Sequence, residues 1–187
     1  MNGYNIAPAG HPVVVLQPQT ISGGATAQAF SMKDAEHVSI LISIGAVAGS
    51  PLTNPTSIVV NFCTDVAGDN PVACASFRYY YQTTAGAGHD ILDGYQQCLP
   101  NSPNLPPNYT ATSAGITTFP INASNLLFVI EMDSVELEAA VAAVGTQTEH
   151  PYVQVVIGNG AYATYACVIA VLSGLRIASN VGQTVTT

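Results

Sequence analysis

One stretch limits the fold more than any other: HPYVQVVIGNGAYATYACVIAVLSGL, His150 to Leu175. It is the most apolar part of the chain and nearly uncharged. Gly158-Asn159-Gly160 interrupts it, so no apolar run reaches the roughly 20 residues that a transmembrane helix needs. IGNGAY contains GxG, but it lacks the remaining glycine of a dinucleotide fingerprint and the helix that would turn its N-terminus to phosphate. Asn-Gly between β-branched and aromatic runs is instead a strong hairpin signal. The stretch therefore reads as a central β-hairpin turning at Asn159-Gly160. In that register Ile157 lies opposite Tyr162, Val155 opposite Thr164 and Val153 opposite Ala166. On the reverse face Gln154 meets Tyr165 and Tyr152 meets Cys167. The chemistry of such a segment is packing.

The rest of the chain has the same texture. VVVLQ (13–17), TAQAFSM (26–32), SIVVNFCT (57–64), ACASFRYYYQT (73–83), YTATSAGITTFP (109–120) and LLFVIEMD (126–133) are β-type runs bounded by turn residues. HVSILISIGAV (37–47) alternates: Val38, Ile40, Ile42 and Ile44 share one face, with Ser39, Leu41 and Ser43 on the other. Asp133-Ser-Val-Glu136 has the form of a capping box ahead of an Ala-, Leu- and Glu-rich run, so one short helix is expected at 134–144, ended by Gly145. Residues 1–12, with Pro8, Gly10 and Pro12, read as an extended arm. Residues 85–108 are rich in Pro and Asn and read as a long loop insertion, a candidate for partner contacts. The expectation is all-β: one domain over 13–187, a β-sandwich or jelly-roll-like fold of about eight strands, with a single barrel as the alternative.

Charge narrows the function. The only Lys and Arg residues are Lys33, Arg78 and Arg176, against 11 acidic residues, for a net charge of −8. Such a chain cannot build the basic stripe that displaces counterions from phosphates, nor hold an anionic membrane surface. Only 7% of residues are charged, against about 25% in an average soluble domain. That composition favours an extracellular, adhesive or virion protein over a cytosolic enzyme. The N-terminus has no basic region followed by an apolar core, so no secretory signal is read there. Either a virion protein made in the host cytoplasm or a mature fragment would reconcile the two observations, and Met1 favours the first.

No catalytic, cofactor or metal site is expected. His11, His37, His89 and His150 are far apart, and no GxSxG nucleophile elbow is present. His89, Asp90 and Asp93 sit in one loop segment and Asp65 and Asp69 in another, without a calcium-loop pattern; they read as turn formers. Glu131, Asp133, Glu136 and Glu138 are the densest acidic cluster. Asp133 and Glu136 are assigned to capping, and a salt contact to a basic partner is the alternative. Tyr79, Tyr80 and Tyr81 serve either edge packing or an interface. Asn108-Tyr-Thr110 and Asn122-Ala-Ser124 fit a glycosylation sequon and, without an export signal, read as chance matches. Cys63, Cys74, Cys98 and Cys167 match no zinc or redox spacing and are expected as thiols, although Cys63 and Cys74 could face each other across neighbouring strands.

The order SMKDAEHVSILISIGA, SIVVNFCTDV, LLFVIEMDSVEL and HPYVQVVIGNG…VIAVLSGLR, over about residues 20 to 178, resembles small β-rich structural proteins of tailed bacteriophages. Among them the head decoration, or cement, proteins are the nearest in kind. The resemblance implies a non-enzymatic protein on the capsid exterior, often trimeric, bound to the major capsid protein and stabilising the head. Residues 85–108 look inserted relative to that texture. A tail-tube or tail-tip protein and a receptor- or carbohydrate-binding β-module are the alternatives.

Overall fold

The structure is a computed structural model. It describes residues 10–47, 57–73, 78–82, 95–98, 110–112, 115–118, 126–135, 137–138, 151–158 and 163–174. The described elements are all β, apart from helical residues 134–135 and 137–138 directly after the eleventh strand. Most of the helix expected at 134–144 lies outside the described residues.

Two antiparallel sheets form. The first has the order β1 (Gly10–Ile21), β13 (Thr164–Ser173), β4 (His37–Val47), β11 (Leu126–Asp133), β7 (Arg78–Gln82), β8 (Tyr95–Cys98). The second has the order β2 (Ala25–Thr26), β12 (Tyr152–Ile157), β5 (Ile58–Cys63), β10 (Gly115–Thr118), β9 (Thr110–Thr112). Beside this path β3 (Phe30–Ser31) pairs with β12, and β6 (Val72–Ala73) pairs with β5. The strands outnumber the eight expected because several sequence runs are divided. Residues 26–32 supply parts of β2 and β3, and the run 73–83 leaves the second sheet after β6 and enters the first at β7.

The hairpin reading of His150–Leu175 is corrected. β12 and β13 lie in different sheets: β12 pairs with β2, β3 and β5, while β13 fills the slot between β1 and β4. The turn Asn159-Gly160 itself lies outside the described residues. Of the face assignment, Val153, Val155, Ile157, Thr164 and Ala166 are buried as expected, but Gln154, expected on the reverse face, is buried too, and Tyr162 lies outside the described residues. Period-2 alternation records which face is buried but not which strand lies alongside.

The arm is shortened. Gly10, His11 and Pro12 pair with Ser173, Leu172 and Val171. Pro12 is tolerated because β1 is an edge strand. Two register shifts, between Val14 and Leu16 and between Leu16 and Gln19, together with Pro12 and Pro18, break the regularity of this edge. The reading of 85–108 as a loop without regular structure is also corrected, because Tyr95–Cys98 forms β8 on β7.

The sheets share one core. From the first sheet it takes Val38, Ile40, Ile42 and Ile44 of β4, Phe128, Ile130 and Met132 of β11, and Ala166, Val168, Ala170 and Leu172 of β13. From the second it takes Ile58, Val60 and Phe62 of β5 and Val153, Val155 and Ile157 of β12. The segment after β1 closes one side: the Gln28 amide donates to the Val15 carbonyl and the Ala27 amide to the Val155 carbonyl, each at 2.8 Å.

Candidate functional site: a histidine between two carboxylates

β4 and β11 pair so that His37 faces Asp133 and Ser39 faces Glu131. Directly opposed residues of an antiparallel pair project from the same face. Here that face is the outer one, since the intervening Val38, Ile40, Ile130 and Met132 are in the core. The result is a compact block of four polar side chains at one end of the first sheet.

His37 Nδ1 lies 2.6 Å from Asp133 Oδ1, and His37 Nε2 lies 2.6 Å from Glu131 Oε2. Ser39 Oγ donates to Glu131 Oε2 at 2.8 Å and is 3.5 Å from His37 Nε2. Both ring nitrogens of His37 are thereby taken up by carboxylates. The side chains of His37 and Glu131 are 30% and 24% exposed and that of Asp133 is 45% exposed, so water screens the contacts.

Ser39, His37 and Asp133 superficially resemble a nucleophilic triad. In such a triad Nε2 must be free to take the serine proton. Here Glu131 occupies Nε2 and also receives the Ser39 hydroxyl, so this arrangement directs no base at Ser39. What it does is tie β4 to β11. The tie extends through the backbone: the Ser134 amide donates to the Glu36 carbonyl at 2.9 Å, and the Glu36 amide to the Ser173 carbonyl at 3.2 Å. The start of β4 thus joins the ends of β11 and β13. Replacing His37 with leucine is expected to cost about 1 kcal/mol in urea unfolding, a modest value because the pairs are half-exposed. A cost several times larger would mean that the block is more deeply desolvated than its exposure indicates.

The sequence reading missed this block. The capping reading of Asp133 does not foresee its contact with His37, and the ring that meets Glu131 and Asp133 belongs to this same chain. The available signal was parity: His37 shares the face of Ser39, and Glu131 and Asp133 alternate with the apolar residues of LLFVIEMD. Asp65 and Asp69 lie in the turn after β5. There the Asp69 amide donates to Asp65 Oδ1 at 3.0 Å and the Gly68 amide to the Asp65 carbonyl at 3.2 Å. Tyr79, Tyr80 and Tyr81 pair with Ile130, Val129 and Phe128 of β11. His89, Asp90, Asp93, Glu136, His150 and both sequon asparagines, Asn108 and Asn122, lie outside the described residues. Among the described residues no three His, Cys, Asp or Glu side chains are grouped to hold a metal ion. No described helix is long and apolar enough to cross a membrane.

Cys63 and Cys167 are free thiols. Cys98 lies on β8, and Cys74 lies outside the described residues. Burial pushes the Cys63 thiol up to about 11, with Asp65 and then Asp69 adding to the effect, and burial also raises Cys167. An unfolded cysteine titrates near 9. Two units of separation leave on the order of a hundredfold less thiolate at pH 8 in the folded chain, and thiolate is the reactive form. Cys63 is therefore expected to react with a disulfide reagent at pH 8 roughly a hundredfold more slowly in the native than in the urea-unfolded chain. The sign for stability follows: a raised thiol favours the folded state below pH 9, and this contribution is lost as pH rises through about 11. A Cys63→Ala variant should lack that alkaline decline.

No protein-family model matches the chain, and comparison with curated proteins and with solved structures finds no match to either.

Proposed function

We propose that this chain is a non-enzymatic structural protein of a tailed-bacteriophage virion, a decoration protein that binds the outer surface of the major capsid protein and stabilises the head. The finer architecture we propose is a jelly-roll-like β-sandwich, in keeping with two antiparallel sheets around one core. The observation that carries the reading is where the polar chemistry sits. The one described block with a triad-like set of side chains spends its donors and acceptors on joining strands. The low charge and the resemblance of the strand order to phage structural proteins supply the class. Self-association as a homotrimer, with no nucleic acid, membrane or cofactor involved, belongs to the same proposal.

The test is composition and robustness of the particle. Virions of the phage that encodes the chain should contain it in stoichiometric amounts with the capsid protein by quantitative mass spectrometry. Heads lacking it should open at lower temperature and regain resistance when the purified chain is added. A chain found only in the lysate, or located in isolated tails, would overturn the assignment.

A further inference from the structure

The outer face of the first sheet carries an apolar row running across four strands. Val14 of β1 pairs with Ile169 of β13, Ile169 with Leu41 of β4, and Leu41 with Val129 of β11. The described large hydrophobic residues that stand exposed are Val14, Tyr165 and Val135, at 44%, 62% and 70%. Val14 belongs to this row, Tyr165 projects from the same side of β13, and Val135 follows two residues after Asp133. Tyr165 lies against Gly45, where a Cβ would be 3.1 Å from Tyr165 Cβ. The missing side chain at Gly45 gives the tyrosine its seat, four residues along β13 from Ile169, about 13 Å by strand rise and on the side of the row away from Glu131 and Asp133.

One row along the strands, about 7 Å away by strand rise, the surface becomes acidic. Segments 33–37 and 131–134 are joined by the His37–Asp133 register and the Ser134–Glu36 hydrogen bond. They carry Asp34, Glu36, Glu131 and Asp133, four of the chain's 11 acidic residues. Against these stand Lys33 in the same segment, His37, and Arg78, the register partner of Glu131. The patch keeps a net negative charge even with His37 protonated.

We infer that this face docks a protein surface presenting an apolar ridge bordered by lysine or arginine, with Tyr165 as its anchor. The inference rests on the virion reading only for the partner's identity. Charge complementarity selects the occupant: a second copy would set acid against acid, and anionic lipid or nucleic acid carries the same sign as the patch. An apolar centre with an exposed tyrosine and a polar border has the anatomy of a protein interface.

Two synthetic peptides serve as probes, one alternating leucine with arginine and the other leucine with glutamate. The arginine peptide should shift the amide resonances of Leu41, Val129 and Ile169. Its affinity should fall at least tenfold in Tyr165→Ala, whose side chain is exposed enough to leave folding intact, and also in the Glu131→Gln/Asp133→Asn double variant. Equal binding of both peptides, shifts confined to another surface, or unchanged affinity in Tyr165→Ala would overturn the inference. Heads lacking the chain separate the two proposals. If heads fail to bind while the arginine peptide docks on this face, the virion reading falls and the docking face stands. If heads bind wild type and Tyr165→Ala equally, the docking face falls and the virion reading stands.

Discussion

Replacing Phe128 with alanine should lower the unfolding free energy by about 3–5 kcal/mol, the range for deleting a fully buried phenylalanine. Phe128 is 0% exposed, and it sits on β11 between Ile42 of β4 and Tyr81 of β7. The lost ring takes its contacts with it, and the surrounding strands, fixed by their ladders, relax only partly. The neighbouring Val129 provides the control. It points to the outer face, so Val129→Ala should cost about 1 kcal/mol or less. Urea midpoints measured on both variants test the facing of β11 directly. Equal costs would contradict it.

Gly174→Val should be nearly as damaging, at about 2–4 kcal/mol. Gly174 has φ +63°, where a β-branched side chain is strained. A Cβ there would also lie 2.8 Å from Glu36 Cβ. A Cβ cannot swing aside as the end of a long side chain can, and Glu36 is held by the hydrogen bond its amide donates to the Ser173 carbonyl. The chain must leave β13 at this point and pass Glu36 closely, and glycine allows both. Gly68 contrasts with it. Its φ is +84° and its blocked space is filled by the Gln154 amide, the movable end of a side chain. Gly68→Ala should therefore cost less than Gly174→Ala, and thermal melting of the two variants would show the order.

The sequence was most legible where a face could be read within one strand. HVSILISIGAV and LLFVIEMD form β4 and β11 at the expected boundaries, and the four alternating residues of β4 are the core residues. It was least legible where the partner lies far along the chain. Asn159-Gly160 is a local turn signal, and it suggested that β12 and β13 pair with each other. The pairing of β13 with β4 joins Val168 to Ile42, and that of β12 with β5 joins Val155 to Val60. Such contacts are decided by burying both sheets' inner faces together, which no short window records. The run 73–83 has the same origin, because a strand that changes sheet, as between β6 and β7, keeps its β texture on both sides of the change.

The polar block was half legible. The acidic cluster and the parity of His37 with Ser39 were visible, but the β4–β11 register that makes them neighbours was not. A capping reading of Asp133 was reasonable from Asp133-Ser-Val-Glu136, since helical residues do begin at Ser134. That reading contains nothing to indicate that His37, 96 residues away, stands 2.6 Å from the same carboxylate.

The central claim is that this is a structural protein on the exterior of a phage head. Cryo-electron microscopy of heads with and without the chain tests it most directly. The account predicts difference density on the outer capsid surface into which the two-sheet core fits, with the Tyr165 face of the first sheet turned toward the capsid protein. Identical head maps, or difference density confined to the tail, would contradict it.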